Sequence, residues 1–249
     1  MNRKNPIAVF DSGIGGLSTL LHLQELLPYE DFIYYADEKH FPYGEKTNEE
    51  ILSYVNQIIN YFQEVEVKLV VIACNTVSTF IDQLQVRYDI PLFDVISPTI
   101  NHILKIKDIK SILLLGTEVT VKSKNYERNL SDYQFNSCVC YDFARLVETG
   151  DLNNPIIDKT LLACPKSDVV ILGCTHYSFL KDKIKSYFNE SVIVDSSKEV
   201  AINVWNFLHT NNLFNNQNID GMIRLITSGN PEKFALKVKK VLIPNFDLK

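Results

Sequence analysis

The chain has 249 residues, of which 46% are hydrophobic and 22% are charged, and its formal net charge is −5. This composition excludes a disordered chain, a fibrous repeat and a coiled coil. The acidic balance, 30 Asp and Glu against 25 Lys and Arg, argues against nucleic acid as the main partner because it indicates no basic face. A small anionic ligand stays compatible with it, since backbone N–H groups can bind an anion.

Short apolar runs alternate with longer amphipathic segments along the chain. The apolar runs predict strands at residues 6–10, 32–36, 69–73, 111–115, 136–141, 169–172, 192–194 and 222–227. The amphipathic segments predict helices at residues 15–27, 48–64, 77–88, 119–130, 152–163, 179–188, 199–209 and 231–241. The strand runs are rich in Val, Ile and Leu and do not alternate with polar residues, which is typical of a parallel sheet buried on both faces. The alternation of strands and helices predicts an α/β fold.

A weak internal repeat indicates two similar halves. Residues 70–76 read Val-Val-Ile-Ala-Cys-Asn-Thr, and residues 169–176 read Val-Val-Ile-Leu-Gly-Cys-Thr-His. Each segment is a predicted strand that ends in a cysteine followed by a polar helix start. Candidate crossings between the halves are Ser97-Pro98 and the Asn-rich residues 209–218.

A glycine-rich segment, Asp11-Ser12-Gly13-Ile14-Gly15-Gly16, follows the first predicted strand. Its glycines would let backbone N–H groups face a ligand, and the N-terminus of the next helix favours an anion. The segment is neither a P-loop nor a dinucleotide-binding loop. A tight turn in which Asp11 or Ser12 caps the helix explains the pattern equally well.

Two cysteine motifs are the main candidates for chemistry. Cys74 precedes Asn75-Thr76 at a predicted helix start, where we expect a lowered thiol pKa. Cys174 precedes Thr175-His176, and a histidine two positions away can tune a thiol or relay its proton. In isolation, each motif is also explained by a buried small residue or a structural histidine. Cys138-Val139-Cys140 lacks the partners of a zinc site and is expected to pack in a strand.

Two further loops follow predicted strands. Phe41-Pro42-Tyr43-Gly44 reads as a turn, and Gly116-Thr117-Glu118-Val119-Thr120 offers hydroxyl groups that could bind a carboxylate or cap a helix. All five clusters therefore fall at the carboxyl ends of predicted strands, which is where ligands bind in open α/β sheets. Two thiols facing one pocket could remove a proton from one side of a carbon atom and deliver one to the other side.

These segments resemble the glutamate racemase family of the bacterial cell-wall pathway. FDSGIGGLSTL, DEKHFPYG, VIACNT and LGCTHYSFL are similar to its four main motifs, and the resemblance extends from about residue 6 to 235. It implies an isomerase that interconverts L- and D-glutamate without a cofactor and supplies D-glutamate for peptidoglycan synthesis. It also implies two α/β domains, each a mainly parallel sheet flanked by helices, with the active site in the cleft between them. Residues 1–97 plus 210–249 would form the first domain and residues 98–209 the second.

The resemblance also assigns roles to individual residues. Cys74 and Cys174 would be the acid/base thiols, assisted by Asp11 and His176 respectively, and Glu148 would lie near the second thiol. The substrate-binding residues would be Asp11, Ser12, Pro42, Tyr43, Gly44, Asn75, Thr76, Thr117, Thr120, Thr175 and His176. No metal ligand is implied.

Further expectations concern partners and location. Glutamate is the implied small-molecule substrate, and a homodimer is the implied assembly. Neither a signal peptide nor a long apolar stretch is visible in the sequence, so we expect a cytoplasmic protein without a membrane partner, whose five cysteines are free thiols. Family members regulated by a cell-wall precursor carry an N-terminal extension before the Asp-Ser-Gly signature, so we do not expect that regulation here.

Three other functions compete with this interpretation. Within the superfamily, an aspartate or hydantoin racemase is the nearest alternative, and the two cysteine motifs argue against a one-cysteine decarboxylase. A non-catalytic module that binds an acidic ligand would need the pocket but not both thiols. A thiol redox protein is disfavoured because the sequence lacks a Cys-x-x-Cys motif.

Overall fold

Two parallel β-sheets form the framework of the protein. The structure is a computed structural model and describes residues 2–217 and 219–242. Within these residues the strands are β1 (Ile7–Asp11), β2 (Phe32–Ala36), β3 (Leu69–Ile72), β4 (Leu92–Asp94), β5 (Ser111–Gly116), β6 (Gln134–Val139), β7 (Val169–Gly173), β8 (Val192–Asp195) and β9 (Ile223–Thr227). One sheet has the order β4-β3-β1-β2-β9 and the other the order β6-β5-β7-β8. All the strand pairs in both sheets are parallel, as predicted.

Helices connect the strands and cover the sheets. They are α1 (Leu17–Leu26), α2 (Asn48–Glu64), α3 (Asn75–Ser78), α4 (Ile81–Arg87), α5 (Ile96–Ile103), α6 (Glu118–Ser123), α7 (Asn125–Asn129), α8 (Phe143–Thr149), α9 (Pro155–Ala163), α10 (Lys181–Tyr187), α11 (Ser196–Thr210) and α12 (Pro231–Leu242). Short 3₁₀ turns lie at Glu38–His40, Tyr43–Glu45 and Thr175–Leu180. Nowhere in residues 2–217 and 219–242 is a helix both long and apolar enough to cross a membrane. The predicted α/β class with two flanked parallel sheets is confirmed.

The structure contains three elements that the sequence patterns did not predict. β4 has three residues, too few for a clear apolar run, and α5 includes Pro98 in its first turn. α8 is a seven-residue helix between the strand predicted at residues 136–141 and the helix predicted at residues 152–163. The single helix predicted at residues 119–130 is wrong, because Lys124 has a left-handed backbone (φ 57°) that separates α6 from α7.

The two sheets are built from different parts of the chain. β1 to β4 and the late strand β9 form one sheet, whereas β5 to β8 form the other. Ser97 and Pro98 lie within α5, whose apolar side chains pack with those of β5 and β7 in one cluster. The sheet composition supports the assignment of 1–97 plus 210–249 and of 98–209 to two domains, which stays a prediction. Met1, Asn218 and residues 243–249 of the first domain lie outside the described residues.

Packing between α1 and α11 joins the two halves. Leu17, Leu20 and Leu23 of α1 belong to the same buried cluster as Val200 and Val204 of α11. Burial of apolar side chains on both helices stabilises their contact by roughly 1.5–3 kcal/mol for each fully buried residue. The amphipathic helix α2 covers the other face of the five-stranded sheet and begins with a capping box between Thr47 and Glu50.

A buried ion pair anchors the segment that returns the chain to the first sheet. The Lys68 ammonium donates to the carboxylate of Glu30 and to the carbonyl oxygens of Arg3 (3.0 Å) and Leu213 (3.2 Å). The other oxygen of Glu30 accepts from the backbone N–H of Asn215 at 2.8 Å. Both charged side chains are buried, so each depends on the other for compensation of its lost hydration.

We predict that Lys68→Met lowers the free energy of unfolding by about 3–5 kcal/mol, because it leaves the Glu30 carboxylate buried without its cation. Urea denaturation at neutral pH measures the change. Lys107→Met, which alters an exposed lysine, is the matched control and should shift the free energy by at most about 0.5 kcal/mol. The double variant Lys68→Met/Glu30→Gln should recover part of the loss. Equal stability of Lys68→Met and the control would contradict a stabilising pair.

Candidate active site

The ends of four strands meet where the two halves of the chain touch. Asp11 ends β1, Cys74 follows β3, Thr117 follows β5 and Cys174 follows β7. Hydrogen bonds cross between the halves here: the Thr175 hydroxyl donates to Asp11 Oδ1 at 3.4 Å, and the hydroxyl oxygens of Thr76 and Thr117 lie 3.0 Å apart. The sequence-predicted residues at these strand ends are therefore brought together.

The loop after β1 is folded around the side chain of Asp11. Asp11 is fully buried, and its Oδ2 accepts from the N–H groups of Gly13 and Gly16, both at 3.1 Å. Burial raises the pKa of Asp11, although His176 and the two N–H groups oppose that effect. The N–H of Ile14 donates to Glu148 Oε1 at 2.7 Å. The expectation that these loop amides face a ligand anion is wrong for Gly13, Ile14 and Gly16, because carboxylates of the protein itself accept from them.

Two glycines of this loop are required by close contacts with the other half. A Cβ atom at Gly15 would lie 2.3 Å from Nδ1 of His176, and one at Gly13 would lie 2.0 Å from Oε1 of Glu148. No side chain fits at these distances without displacing the histidine or the carboxylate. The glycines thus allow the loop that carries Asp11 to lie directly against His176 and Glu148.

Cys74 is the first of the two thiols. It is 6% exposed and directly precedes α3. Burial raises the pKa of the Cys74 thiol and the nearby Asp11 carboxylate raises it further, while N–H groups at the start of α3 lower it by less. The lowered pKa expected from the helix N-terminus is therefore wrong, because burial of the thiol outweighs the effect of these N–H groups. A negative charge on Cys174 would also raise the pKa of Cys74, because the two thiols lie near one another.

Cys174 is the second thiol and forms one end of a relay. It is 7% exposed, and its Sγ lies 3.7 Å from Nδ1 of His176. Nε2 of the same ring lies 3.0 Å from Oε1 of Glu148. Burial alone would lower the pKa of His176, but its hydrogen bonds with Cys174 and Glu148 raise it well above its ordinary value. A cationic imidazole ring would stabilise the negative charge that develops on Cys174 when that sulfur loses its proton.

Glu148 is held as a buried carboxylate. Burial would raise its pKa, but hydrogen bonds from His176, Lys237 and the N–H of Ile14 lower the pKa to about 2. Lys237 donates from α12 to Glu148 Oε2 at 2.7 Å and to Glu38 Oε1 at 2.6 Å. The sequence reasoning did not single out Lys237. It belongs to an amphipathic helix without a motif, and only the folded chain places it beside Glu148.

A network of hydroxyl and amide groups borders the thiols. The hydroxyl of Thr117 lies 2.9 Å from that of Thr120, which extends the chain of hydroxyls from Thr76. Asn75 donates to Ser196 at 3.1 Å and accepts from Tyr126 at 2.8 Å, so a residue beside Cys74 is fixed by the second half. Neither Ser196 nor Tyr126 was predicted from the sequence, because their hydrogen bonds with Asn75 exist only in the folded chain.

The Pro-Tyr-Gly turn lies against the same border. The buried Tyr43 hydroxyl donates to Asp37, and a Cβ atom at Gly44 would lie 2.9 Å from Cβ of Thr117. Pro42 is half-buried in this turn, and Ser12 is buried in the loop after β1.

The remaining cysteines lie outside this arrangement. All five cysteines are free thiols, as expected. Cys140 and Cys164 are buried in the main apolar cluster, and Cys138 packs at its edge, so Cys138 and Cys140 fit the packing role expected for them. In the described parts of the chain, no group of three or more His, Cys, Asp and Glu residues is arranged to hold a metal ion.

We predict a pH-dependent contribution of Glu148 to stability. Its folded pKa of about 2 is below the ordinary value of 4.5, so the contribution is complete above pH 4.5 and is lost as the pH falls through about 2. Between pH 4.5 and about 2, a falling pH should reduce the free energy of unfolding less steeply in Glu148→Gln than in the unsubstituted protein. The two slopes should differ by up to about 1.4 kcal/mol per pH unit. Urea denaturation at several pH values measures the slopes, with Glu190→Gln as the exposed control. Identical slopes for all three proteins would show that Glu148 is not held ionised.

Comparisons with known proteins identify the family of the chain. Residues 22–202 match the family model for Asp/Glu/hydantoin racemases. The chain is 39% identical to the glutamate racemase of Thermoanaerobacter pseudethanolicus, over 96% of this chain and 93% of that protein.

Two solved structures show the same architecture. A glutamate racemase isoform of Bacillus anthracis matches with a TM-score of 0.91 and 29% identity, over 97% of this chain and 95% of that one. The glutamate racemase of Francisella tularensis, solved in complex with D-glutamate, matches with a TM-score of 0.87 and 27% identity, over 99% of this chain and 96% of that one. The chain therefore belongs to the Asp/Glu/hydantoin racemase family, and within it to the glutamate racemases.

Proposed function

We propose that the protein is a glutamate racemase that interconverts L- and D-glutamate by proton transfer between two cysteines. The observation that carries this proposal is the pair of buried thiols, Cys74 and Cys174, which follow strands of different sheets at the edge where the two halves of the chain touch. Racemisation requires that a proton leave one face of the α-carbon and another arrive at the opposite face. Thiols contributed by the two halves of the chain suit that requirement.

The surroundings of the two thiols differ in a way that suits opposite roles. Burial and the Asp11 carboxylate favour the protonated form of Cys74, which can then donate a proton. Hydrogen bonds with Cys174 and Glu148 raise the pKa of the His176 ring, so the protonated ring can stabilise a Cys174 thiolate that accepts one. For the reverse direction the roles exchange. We assign the proton that Cys74 must then give up to the buried Asp11, whose pKa is raised and whose charge acts on Cys74.

The low acidity of the substrate's α-hydrogen is the main energetic barrier to the reaction. The α-hydrogen of an amino acid is far less acidic than a thiol, whose reference pKa is about 8.5. Donors around the developing carbanion must therefore stabilise it, and loss of one such donor typically costs roughly 10²–10³-fold in rate. The side chains of Asn75, Thr76 and Thr175 and the hydroxyls of Thr117 and Thr120 are the donors we assign to the carboxylates of glutamate. Ser12, Pro42, Tyr43 and Gly44 complete the proposed binding surface.

The full-length matches to glutamate racemases favour glutamate over aspartate as the substrate. A module that only binds an acidic ligand would have no use for a second thiol with its own histidine and carboxylate. We also propose that the protein acts as a homodimer in the cytoplasm, where thiols stay reduced, and supplies D-glutamate for peptidoglycan synthesis.

We predict that purified protein without added cofactor racemises L-glutamate and D-glutamate, and that Cys74→Ser and Cys174→Ser each lower kcat/KM by at least about 10²–10⁴-fold. A serine hydroxyl is a much weaker acid and base than a thiol at neutral pH. Circular dichroism at 220 nm follows the optical conversion of each enantiomer, and Cys138→Ser is the matched control with full activity. In deuterated water, early deuterium should appear in the product enantiomer and not in recovered substrate.

No conversion of glutamate at high protein concentration would refute the racemase proposal. Conversion of aspartate at a higher kcat/KM than glutamate would transfer the assignment to an aspartate racemase. Full activity in Cys174→Ser, or early deuterium in both recovered enantiomers, would refute the two-thiol mechanism.

We further predict that Asp11→Asn and His176→Asn fold normally and change kcat asymmetrically. The two enantiomers have equal energy, so kcat/KM must fall by the same factor in both directions. The separate values of kcat and KM are free to differ, and the direction with the larger loss of kcat should be opposite for the two variants because each residue serves a different thiol. Steady-state kinetics from both enantiomers measures this. The same pattern in both variants would contradict separate roles.

A further inference from the structure

We propose that Lys237 is a positioning residue for the acid/base relay, which it serves by fixing the Glu148 carboxylate that orients His176 against Cys174. This inference rests on the proposed racemase function. It adds to that function a residue from the C-terminal helix α12, far from both cysteine motifs in the sequence.

The contacts form one continuous chain. Lys237 Nζ donates to Glu148 Oε2 at 2.7 Å, Glu148 Oε1 faces His176 Nε2 at 3.0 Å, and His176 Nδ1 faces Cys174 Sγ at 3.7 Å. Each carboxylate oxygen thus has its own task. Oε2 binds the lysine, and Oε1 holds the ring together with the N–H of Ile14 at 2.7 Å. Rotation of the carboxyl group would break the hydrogen bonds of both oxygens, so the bond to Lys237 restricts the direction in which Oε1 points.

Charge is the second part of the argument. Glu148 is 8% exposed, and a buried carboxylate without compensation costs several kcal/mol or takes up a proton. The ionisable groups that act on this carboxylate or share its partners are Asp11, Tyr34, Glu38, Cys174, His176 and Lys237. Two of these six can bear positive charge, and one of the two is the ring that the relay must leave free to exchange its proton. Lys237 is therefore the permanent cation of the site, and it keeps Glu148 ionised whichever state His176 adopts.

Attachment of α12 to the protein does not depend on this contact. Phe234 and Val238 of α12 are buried, and the ring of Phe234 stacks on Tyr34 with 6.4 Å between centroids. Lys237 also has a second carboxylate partner, Glu38, at 2.6 Å. A variant that lacks the bond between Lys237 and Glu148 should therefore keep α12 in place. Such a variant can distinguish a positioning role of Lys237 from a purely structural one.

The first test is a titration that does not require turnover. Carbon-13 NMR of the Glu148 carboxyl group should show a higher pKa in Lys237→Met than in the unsubstituted protein, and Lys237→Arg should restore the low value because the positive charge remains. Lys240→Met, which alters an exposed lysine of the same helix, is the matched control and should show no shift. An unshifted Glu148 in Lys237→Met would overturn the inference, whether or not the protein racemises glutamate.

The second test is kinetic. Lys237→Met should lower kcat/KM for glutamate about 10–100-fold, as expected for loss of a charge-assisted hydrogen bond, and the acid limb of the pH profile should move to higher pH. In Lys237→Met, the direction of racemisation with the larger loss of kcat should be the same as in His176→Asn and the opposite of that in Asp11→Asn. Lys237→Arg should recover most of the activity.

A structural role would give a different pattern. Glu38→Gln removes the other carboxylate partner of Lys237 but leaves the bond to Glu148, so it should retain most of the activity. Equal losses in Glu38→Gln and Lys237→Met, or an asymmetry matching Asp11→Asn, would overturn the inference. Failure of the unsubstituted protein to racemise glutamate would instead refute the proposed function, and the NMR titration would still decide the role of Lys237.

Discussion

The buried carboxylate of Glu148 is the point on which the arrangement of the site depends. It accepts from the loop after β1, from a ring that follows β7 and from a lysine of the last helix, so three distant segments converge on two oxygen atoms. Removal of a charge from water is costly, and the cost is offset only when every hydrogen-bonding position finds a partner. The positions of the Asp11 loop, of His176 and of α12 are therefore coupled through this one group.

Close packing at the loop after β1 follows from the same convergence. His176 and Glu148 approach the backbone so closely that Gly13 and Gly15 have no room for a side chain. Three N–H groups of the loop, those of Gly13, Ile14 and Gly16, donate to Asp11 and Glu148. The loop thus serves to bring two carboxylates and an imidazole together in a buried environment, where electrostatic interactions are stronger than in water.

Much of this could be predicted from the sequence, and the exceptions have physical causes. Continuous apolar runs identify buried parallel strands, and residues 32–36 and 48–64 were predicted with the bounds observed for β2 and α2. β4 was missed because three residues give no periodicity. The pKa of Cys74 was predicted in the wrong direction because burial cannot be read from a local motif. Lys237 lies in an ordinary amphipathic helix, so its contact with Glu148 exists only in the tertiary structure.

Burial of the two thiols also bears on chemical damage. Peroxides attack a cysteine when its sulfur is ionised and accessible, and oxidation beyond the sulfenic acid is essentially irreversible. Cys74 and Cys174 are almost inaccessible, whereas Cys138 in β6 is the one cysteine of the five that is not buried. The fold thereby shields the sulfurs that we assign to proton transfer from oxidants and leaves the most accessible thiol where its modification touches neither Asp11 nor His176.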